Sequence, residues 1–318
     1  MEFDVRDRQI IEAIYHNWRA STSKLSRDLR MSRRKIEYRI QNYFSSGIIR
    51  TIFSVFNYST LGFNCPAYIF IRLSRKKDFE MVGKFLTESK RCTSFGKALT
   101  EYDLFSNFIF QDRKEMKEFV KKFQNYFGKS LAEVLLIEPK YAEFYPLKIA
   151  GSSLRDPYLL TLKDKKVSLD DLDLKIIKEL GKNSRKSIVE IAENSKILPE
   201  TCLYRIKELV RKKVILGSRV QFDLRKAGYF ATCLFVNATM SNDLTLKLGK
   251  FCRTSTNANY LIISKKDPQV IIQVFHRDEE TLSKLLGELS LLLGDNLGKI
   301  TLVKLEDDID VINPVPFI

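Results

Sequence analysis

A basic stretch near the N-terminus concentrates side chains that bond to phosphates and to base edges. Its apolar residues recur at helical spacing, so the basic and polar residues between them share one face of a helix over 33–45. A short helix that offers Arg, Lys, Tyr and Gln from one face suits the major groove of double-stranded DNA, although a solvated basic face is the plain alternative. The face expected to contact DNA consists of Ser32, Arg33, Arg34, Lys35, Tyr38 and Gln41, and the buried face of Ile36, Ile40, Tyr43 and Phe44.

The same pattern returns 166 residues later, because the chain is an internal duplication. Positions that match at this offset include Asp7 and Asp173, Tyr38-Arg39-Ile40 and Tyr204-Arg205-Ile206, and Gly62 and Gly228. A period this long holds two domains per copy and is not a solenoid repeat. A second recognition helix is therefore expected over 199–211, and its outward residues are Thr201, Tyr204 and Lys207.

The two recognition helices differ at their first turn. At the common offset, the cations of Arg33-Arg34-Lys35 give way to Pro199-Glu200-Thr201, and Ser32 gives way to Leu198. A carboxylate is repelled by phosphates, and a leucine cannot cap a helix as a serine can. The first copy is therefore expected to bind DNA more strongly than the second.

Each copy changes its pattern once along the chain. Three short helices and a β-rich run predict a winged helix-turn-helix, and the strand and helix order βαββαβ that follows predicts a ferredoxin-like sandwich. The expected fold class is α+β, with two domains of each kind in tandem. The expected boundaries are 1–60 and 167–226 for the winged helix-turn-helix domains, 61–150 and 227–318 for the ferredoxin-like domains, and 151–166 for the linker.

The charge balance favours a polyanion as partner. The net charge is +15 and the pI is near 9.5, yet residues 227–318 hold more acids than bases, so the basic surface has specific places. Arg50 and Arg219, in the β-rich runs after the recognition helices, are expected to neutralise phosphates. Five scattered cysteines suggest reduced thiols, so no metal and no cofactor are expected. Without a signal peptide or a long apolar run, the protein is expected in the cytoplasm, associated with the nucleoid and not with a membrane.

The ordered set of motifs resembles the Lrp/AsnC (leucine-responsive) family of transcription regulators. In the second copy, Asp171-Leu172-Asp173 precedes Ile176-Ile177, and Asn183-Ser184-Arg185 follows. The run Pro199-Glu200-Thr201-Cys202-Leu203-Tyr204-Arg205-Ile206 is similar to the family's recognition helix. The resemblance covers nearly the whole chain twice. It implies DNA binding, and it implies ferredoxin-like domains that pair, within the chain and between chains as a homo-oligomer.

One departure from the family concerns the effector. Members that bind amino acids usually carry Gly-x-Tyr-Asp between the second and third strands, where the first copy has Thr100-Glu101-Tyr102-Asp103 and the second Lys266-Asp267-Pro268-Gln269. The missing glycine argues against a free amino acid as effector. If a small molecule binds there, the resemblance assigns it to Thr100, Tyr102 and Asp103; the alternative is that this turn only joins two strands.

Two other functions fit the same sequence. A nucleoid-organising protein of low specificity would use the same residues. Siroheme decarboxylases share the two-domain plan and occur as tandem fusions, but they depend on a His-Asn-Tyr type segment that the corresponding strands of the first copy lack. Of the two histidines, His16 at the end of the first helix is expected at the surface and His276 at the end of a strand is expected to be structural, so an enzyme is not expected.

Overall fold

Two units of the same design follow each other along the chain. The computed structural model describes residues 3–16, 19–145, 148, 157–160, 163–306, 310–311 and 313–315. Within these residues, no helix is long and apolar enough to cross a bilayer. The first unit consists of α1 (Val5–His16), α2 (Thr22–Leu29), α3 (Arg33–Ser45), β1 (Ile49–Phe56), β2 (Cys65–Leu73), α4 (Phe79–Thr87), β3 (Cys92–Lys97), β4 (Leu104–Phe110), α5 (Arg113–Phe127), β5 (Leu131–Ile137) and β6 (Pro139–Phe144).

The second unit repeats this order after a short strand, β7 (Tyr158–Leu159). Gly62 and Gly228, which match at the offset of 166, both adopt a positive φ, of 89° and 77°, a conformation that favours glycine. The unit consists of α6 (Asp171–Lys182), α7 (Ile188–Ser195), α8 (Pro199–Arg211), β8 (Ile215–Phe222), β9 (Phe230–Ala238), α9 (Asn242–Thr254), β10 (Ala258–Ser264), β11 (Val270–His276), α10 (Glu279–Leu293), β12 (Leu297–Leu305) and β13 (Asp310–Val311).

Side-chain caps fix where the short helices begin. The Ser21 hydroxyl accepts a hydrogen bond from the backbone N–H of Lys24 at the start of α2. The predicted capping box of Ser187 and Glu190 is present at the start of α7. These helices are too short to be stable alone, so the caps and the packing of their buried faces together hold them.

The βαββαβ order predicts two ferredoxin-like sheets, and both are confirmed. The strand orders are β3-β4-β2-β5 in the first unit and β10-β11-β9-β12 in the second. One face of each sheet is covered by the two helices of its unit, through apolar residues such as Leu86 and Phe123 in the first and Leu248 and Leu289 in the second. The fold is α+β, with two helix-turn-helix domains and two ferredoxin-like domains in tandem.

The two units exchange edge strands within the chain. The strand β6 of the first unit pairs with β10 of the second, and β13 of the second pairs with β3 of the first. The uncovered sheet faces then meet: the rings of Phe70 and Phe235 lie with their centroids 4.8 Å apart, and those of Tyr68 and Tyr260 are stacked. The sheets therefore bury each other's apolar faces.

The β-rich run after each recognition helix is a single strand that pairs with its counterpart. β1 and β8 form an antiparallel two-stranded ribbon, with Ser54 opposite Ser218 at its centre. The sequence predicted a wing in each domain, whereas the structure joins the two runs into one shared ribbon. A strand rich in β-branched and aromatic residues pairs with another strand wherever one is available, and here the other copy provides it.

Candidate nucleic-acid interface

The helix α3 presents the expected basic face to solvent. The Ser32 hydroxyl caps it by accepting from the backbone N–H of Lys35 at 3.4 Å. Tyr38 is 71% exposed, and Ile36 and Tyr43 are buried beneath the helix. Phe44, which was expected inside, is 40% exposed, because it lies at the edge of the buried stripe. Exposed residues of the face are Ser32, Arg33, Arg34, Lys35, Tyr38 and Gln41.

A charged network holds α3 against the start of α1. The Arg39 guanidinium bonds to the carboxylates of Asp4 and Asp7, and the Tyr43 hydroxyl donates to Asp7. The two carboxylates raise the pKa of Arg39, and Arg39 in turn lowers the pKa of Asp4. Arg39 therefore positions the helix.

The second unit repeats this network. Arg205 bonds to Asp170 at 2.7 Å and to Asp173 at 2.9 Å, so the offset of 166 maps one set of charges onto the other. The matching Asp and Arg pairs were visible in the sequence, but their contact across thirty-odd residues was not.

Two further arginines flank the face of α3, and sequence reasoning missed them. Arg6 on α1 and Arg30 after α2 line a groove together with Ser32, Lys35 and Tyr38. Both are exposed. Arg30 ends α2 in a left-handed conformation with φ of 51°, which turns the chain toward α3. Arg30 could have been found from its place in the turn before α3, whereas nothing local in the sequence pointed to Arg6 in the first turn of α1.

The helix α8 has a weaker start. Leu198 at its N-cap makes no side-chain hydrogen bond and is 69% exposed, and Glu200 lies exposed in the first turn. Tyr204 is 65% exposed, whereas Cys202 is fully buried beneath the helix. The predicted outward residues are all exposed: Thr201, Tyr204 and Lys207.

The two arginines of the ribbon differ from the prediction. Arg219 is 8% exposed, and its guanidinium lies over the Phe144 ring at 4.2 Å from the centroid. The expectation that Arg219 neutralises a phosphate is wrong, because both faces of β8 are covered by the rest of the molecule. Arg50 remains exposed and forms an ion pair of 3.5 Å with Asp223.

The two helix-turn-helix domains are joined by hydrogen bonds from two arginines. Arg19 donates to the carbonyls of Ser184 and Lys186, at 3.2 and 2.6 Å. Arg185, its counterpart at the offset of 166, donates to the carbonyl of Ala20 at 3.2 Å. Burial lowers the pKa of both arginines. Together with the β1–β8 ribbon, these reciprocal bonds fix the position of one helix-turn-helix domain relative to the other.

The candidate effector turn is engaged with protein. The Thr100 hydroxyl donates to the carbonyl of Leu302 and accepts from the N–H of Lys304, and so bridges the two units. Tyr102 packs between Phe70 and Phe235. The Asp103 carboxylate accepts from the N–H of Leu73 and bonds to Lys76. Thr100 and Tyr102 thus contact the second unit, whereas Asp103 bonds within the first.

His276 is held by its neighbours. Its Nε2 lies 2.9 Å from the Thr232 hydroxyl, its Nδ1 lies 3.1 Å from the Asp278 carbonyl, and its ring is buried. The side chain of His16 lies outside the described residues. In the described part of the chain, no His, Cys, Asp and Glu side chains cluster in a way that could hold a metal ion.

Comparison with known proteins connects this geometry to a family. A winged helix-turn-helix DNA-binding model matches residues 169–215. An uncharacterized HTH-type transcriptional regulator of Pyrococcus horikoshii is 31% identical over 121 residues, which are 38% of this chain and 81% of that protein. The HTH-type transcriptional regulator LrpC of Bacillus subtilis is 30% identical over 94 residues, covering 30% of this chain and 65% of that protein.

One solved structure is similar over the whole chain. The siroheme decarboxylase NirDL superposes with a TM-score of 0.66, at 12% identity, over 98% of this chain and 96% of its own. At that identity the structural likeness shows the tandem fold alone, whereas the family of the chain is shown by its sequence relatives. The chain belongs to the Lrp/AsnC family of helix-turn-helix transcriptional regulators.

Proposed function

We propose that this protein is a sequence-specific DNA-binding transcription regulator that places α3 and α8 in the major groove. The observation that carries the proposal is the capped, exposed face of α3. Arg34, Lys35 and Tyr38 project from it in the arrangement that reads base edges, and Arg33 lies at the helix start, beside the phosphates. The family to which the chain belongs supports this use of the helix.

One chain is proposed to bind two half-sites. The two helix-turn-helix domains are called the heads. The reciprocal bonds of Arg19 and Arg185 and the shared ribbon support a fixed spacing between them. A protein that holds two recognition helices rigidly reads two half-sites at one separation. We further propose that chains associate into a homo-oligomer, and that the protein works in the cytoplasm, on the nucleoid.

Removal of two cations from α3 tests the proposal. The change Arg34→Ala with Lys35→Ala should lower affinity for a selected duplex by roughly 1–3 kcal/mol per lost base contact. It should also flatten the dependence of log affinity on log salt by about 0.9 per lost phosphate contact. Binding is measured by fluorescence anisotropy over a salt series.

A matched variant removes the same charge elsewhere. Lys121→Ala with Lys122→Ala changes two exposed lysines on α5, remote from both recognition helices. This variant should bind as the unchanged protein does. Equal affinity of both double variants would remove α3 from the interface, and equal affinity of the unchanged protein for selected and random duplexes would favour the nucleoid-organising alternative.

The fold likeness to a siroheme decarboxylase motivates a second candidate. NirDL was solved with an iron-uroporphyrin III analogue. Against such chemistry here, both ring nitrogens of His276 are engaged with Thr232 and Asp278. Titration of the protein with siroheme, followed by absorbance and by product analysis, separates the candidates, and conversion of siroheme would establish the enzyme.

A further inference from the structure

The outer face of α8 differs in chemistry from the outer face of α3. At the offset of 166, Ser32 and Lys35 of the α3 face are replaced by Leu198 and Thr201. Leu198 is 69% exposed, and Thr201 is exposed as well, so both side chains lie at the surface of the second head. Where α3 presents a hydroxyl and a cation, α8 therefore presents side chains that carry methyl groups.

Neither helix capping nor burial accounts for Leu198. Leucine is among the least favourable residues at an N-cap, and no side-chain hydrogen bond caps α8. Its exposed apolar surface is hydrated in the free protein, and covering that surface with an apolar group of another molecule would be favourable. Leu198 thus has the exposure and the chemistry of a contact residue.

The major groove of DNA displays one kind of apolar group. Each base pair presents hydrogen-bond donors and acceptors there, and thymine adds a methyl group at C5. Threonine methyl groups and other apolar side chains contact this group. An exposed apolar side chain on a helix in the major groove therefore favours thymine over the other three bases.

The first turn of α8 lacks the side chains that favour guanine. Guanine is most often recognised by an arginine or lysine that bonds to its O6 and N7 atoms. Arg34 and Lys35 provide such groups on α3, whereas Pro199-Glu200-Thr201 contains no arginine or lysine. Because the N-terminal residues of a recognition helix contact the base edges, the two helices suit different bases.

Exposed lysines lie towards the other end of α8. Lys207 is in the second half of the helix, and Lys212 and Lys213 follow its last residue. Phosphate contacts position a protein on DNA without base preference, whereas contacts to base edges give specificity. The lysines therefore suit phosphates, and the start of the helix suits the bases.

We infer that Leu198 and Thr201 contact thymine methyl groups, so that the half-site of the second head is rich in thymine while that of the first contains guanine. The inference rests on the proposed DNA binding and adds the base preference of α8. The bonds of Arg19 and Arg185 hold the second head in place relative to the first, so a duplex bound at α3 is the partner of α8.

Deoxyuridine tests the inference, because it differs from thymidine only by the missing methyl group. Duplexes are selected from a random library with the full chain, and the thymines of one half-site at a time are replaced by deoxyuridine. In the half-site of the second head, each lost methyl group should lower affinity roughly threefold. In the other half-site the replacement should leave affinity nearly unchanged.

Two variants assign the methyl contacts. Thr201→Ser removes only the methyl group of the side chain, and Leu198→Ser introduces the residue that α3 has at this position. Each should reduce the difference in affinity between the thymine and uracil duplexes, and the double variant should abolish it. Leu246→Ser, at a leucine of α9 that is 75% exposed, is the matched control and should keep the full difference.

The outcomes distinguish this inference from the proposed function. Failure to bind any duplex overturns both. Binding without a thymine-rich half-site, or with equal affinity for thymine and uracil duplexes, overturns the inference alone. Folding of the variants is checked by circular dichroism, and the single variants decide if the double variant does not fold. An undiminished difference in both single variants also overturns the inference.

Discussion

Lys148 crosses from the first unit to the second and ends among backbone carbonyls. Its ammonium donates to the carbonyls of Cys252 and Ser255 at 2.6 and 2.7 Å, at the end of α9, and lies over the ring of Tyr145. Burial lowers the pKa of Lys148 to about 8, although the nearby Glu143 carboxylate favours its charged form. The contact thus ties the units together with a cation that its surroundings make easier to deprotonate.

This depressed pKa predicts how stability depends on pH. Below about pH 8 Lys148 is charged in both states, and above the ordinary value of 10.5 it is neutral in both. Between these values the unfolded chain binds more protons, so stability should rise with pH. Urea unfolding of the protein and of Lys148→Met across this interval should give a steeper rise for the unchanged protein; parallel slopes would contradict the prediction.

Asp7 has more partners than its counterpart in the second unit. It accepts from Arg39 and from the buried hydroxyl of Tyr43, whereas at the offset of 166 the tyrosine is replaced by Leu209. The change Asp7→Asn should destabilise by roughly 1–3 kcal/mol, because it weakens bonds to a cation and to a buried hydroxyl. Asp173→Asn is the matched control and should cost less in denaturant unfolding. A larger loss from Asp173→Asn would show that Tyr43 adds nothing.

At the residue scale, the sequence predicted outward side chains of the helices better than those of the strands. Helical spacing correctly separated Tyr38 and Tyr204, which are exposed, from Ile36, which is buried. The prediction for the strands failed at Arg219. Both faces of β8 are covered by the rest of the molecule, so even its charged residue is buried, and no local sequence pattern indicates that the second face is covered.

At the element scale, the sequence predicted the order of helices and strands but not the pairing between units. The strand β6 was missed because its partner β10 lies more than a hundred residues further along the chain, and local spacing carries no information about such pairing. The two wings were predicted as separate features for the same reason. Edge strands that add to another sheet are determined by the surface they meet.

The N-cap residues of α3 and α8 allow a direct test of how much a single capping side chain stabilises the protein. Leu198 has φ of −72° and ψ of 146°, close to the −64° and 144° of Ser32, so a serine there would have the geometry to cap. Leu198→Ser should therefore stabilise the protein by roughly 0.5–2 kcal/mol, and Ser32→Leu should destabilise it by a similar amount. Thermal and denaturant unfolding measure both. Destabilisation by Leu198→Ser would mean that the exposed leucine makes a contact that outweighs a cap.

At the scale of the whole molecule, covalent duplication frees the two heads to differ. In a homodimer every substitution appears on both sides of the symmetric interface, whereas here each copy changes alone. The contacts that join the copies keep their symmetry: Arg19 and Arg185 make matching bonds. The first turns of α3 and α8 have diverged. The contacts between the copies are thus symmetric, whereas the exposed first turns of α3 and α8 differ.

The divergence predicts unequal half-sites. Arg34 and Glu200 occupy equivalent exposed positions near the starts of their helices, one a cation and the other an anion. An exposed carboxylate at Glu37 reduces the charge advantage of α3 without reversing it, because three cations precede it. The first head should therefore protect its half-site at lower protein concentration than the second, and the preferred site should be an imperfect palindrome.

Charge reversal at these two positions tests the inequality. Arg34→Glu should abolish protection of the strong half-site, since it places an anion among phosphates and removes a base contact of roughly 1–3 kcal/mol. Glu200→Arg should extend protection at the weak half-site by a smaller factor, because the cap and the flanking cations of α3 are still missing from α8. Lys122→Glu, on the remote helix α5, controls for net charge and should leave both footprints unchanged. If the two reversals shifted their half-sites by equal amounts, Glu200 would serve only to balance neighbouring lysines, and the heads would be equivalent.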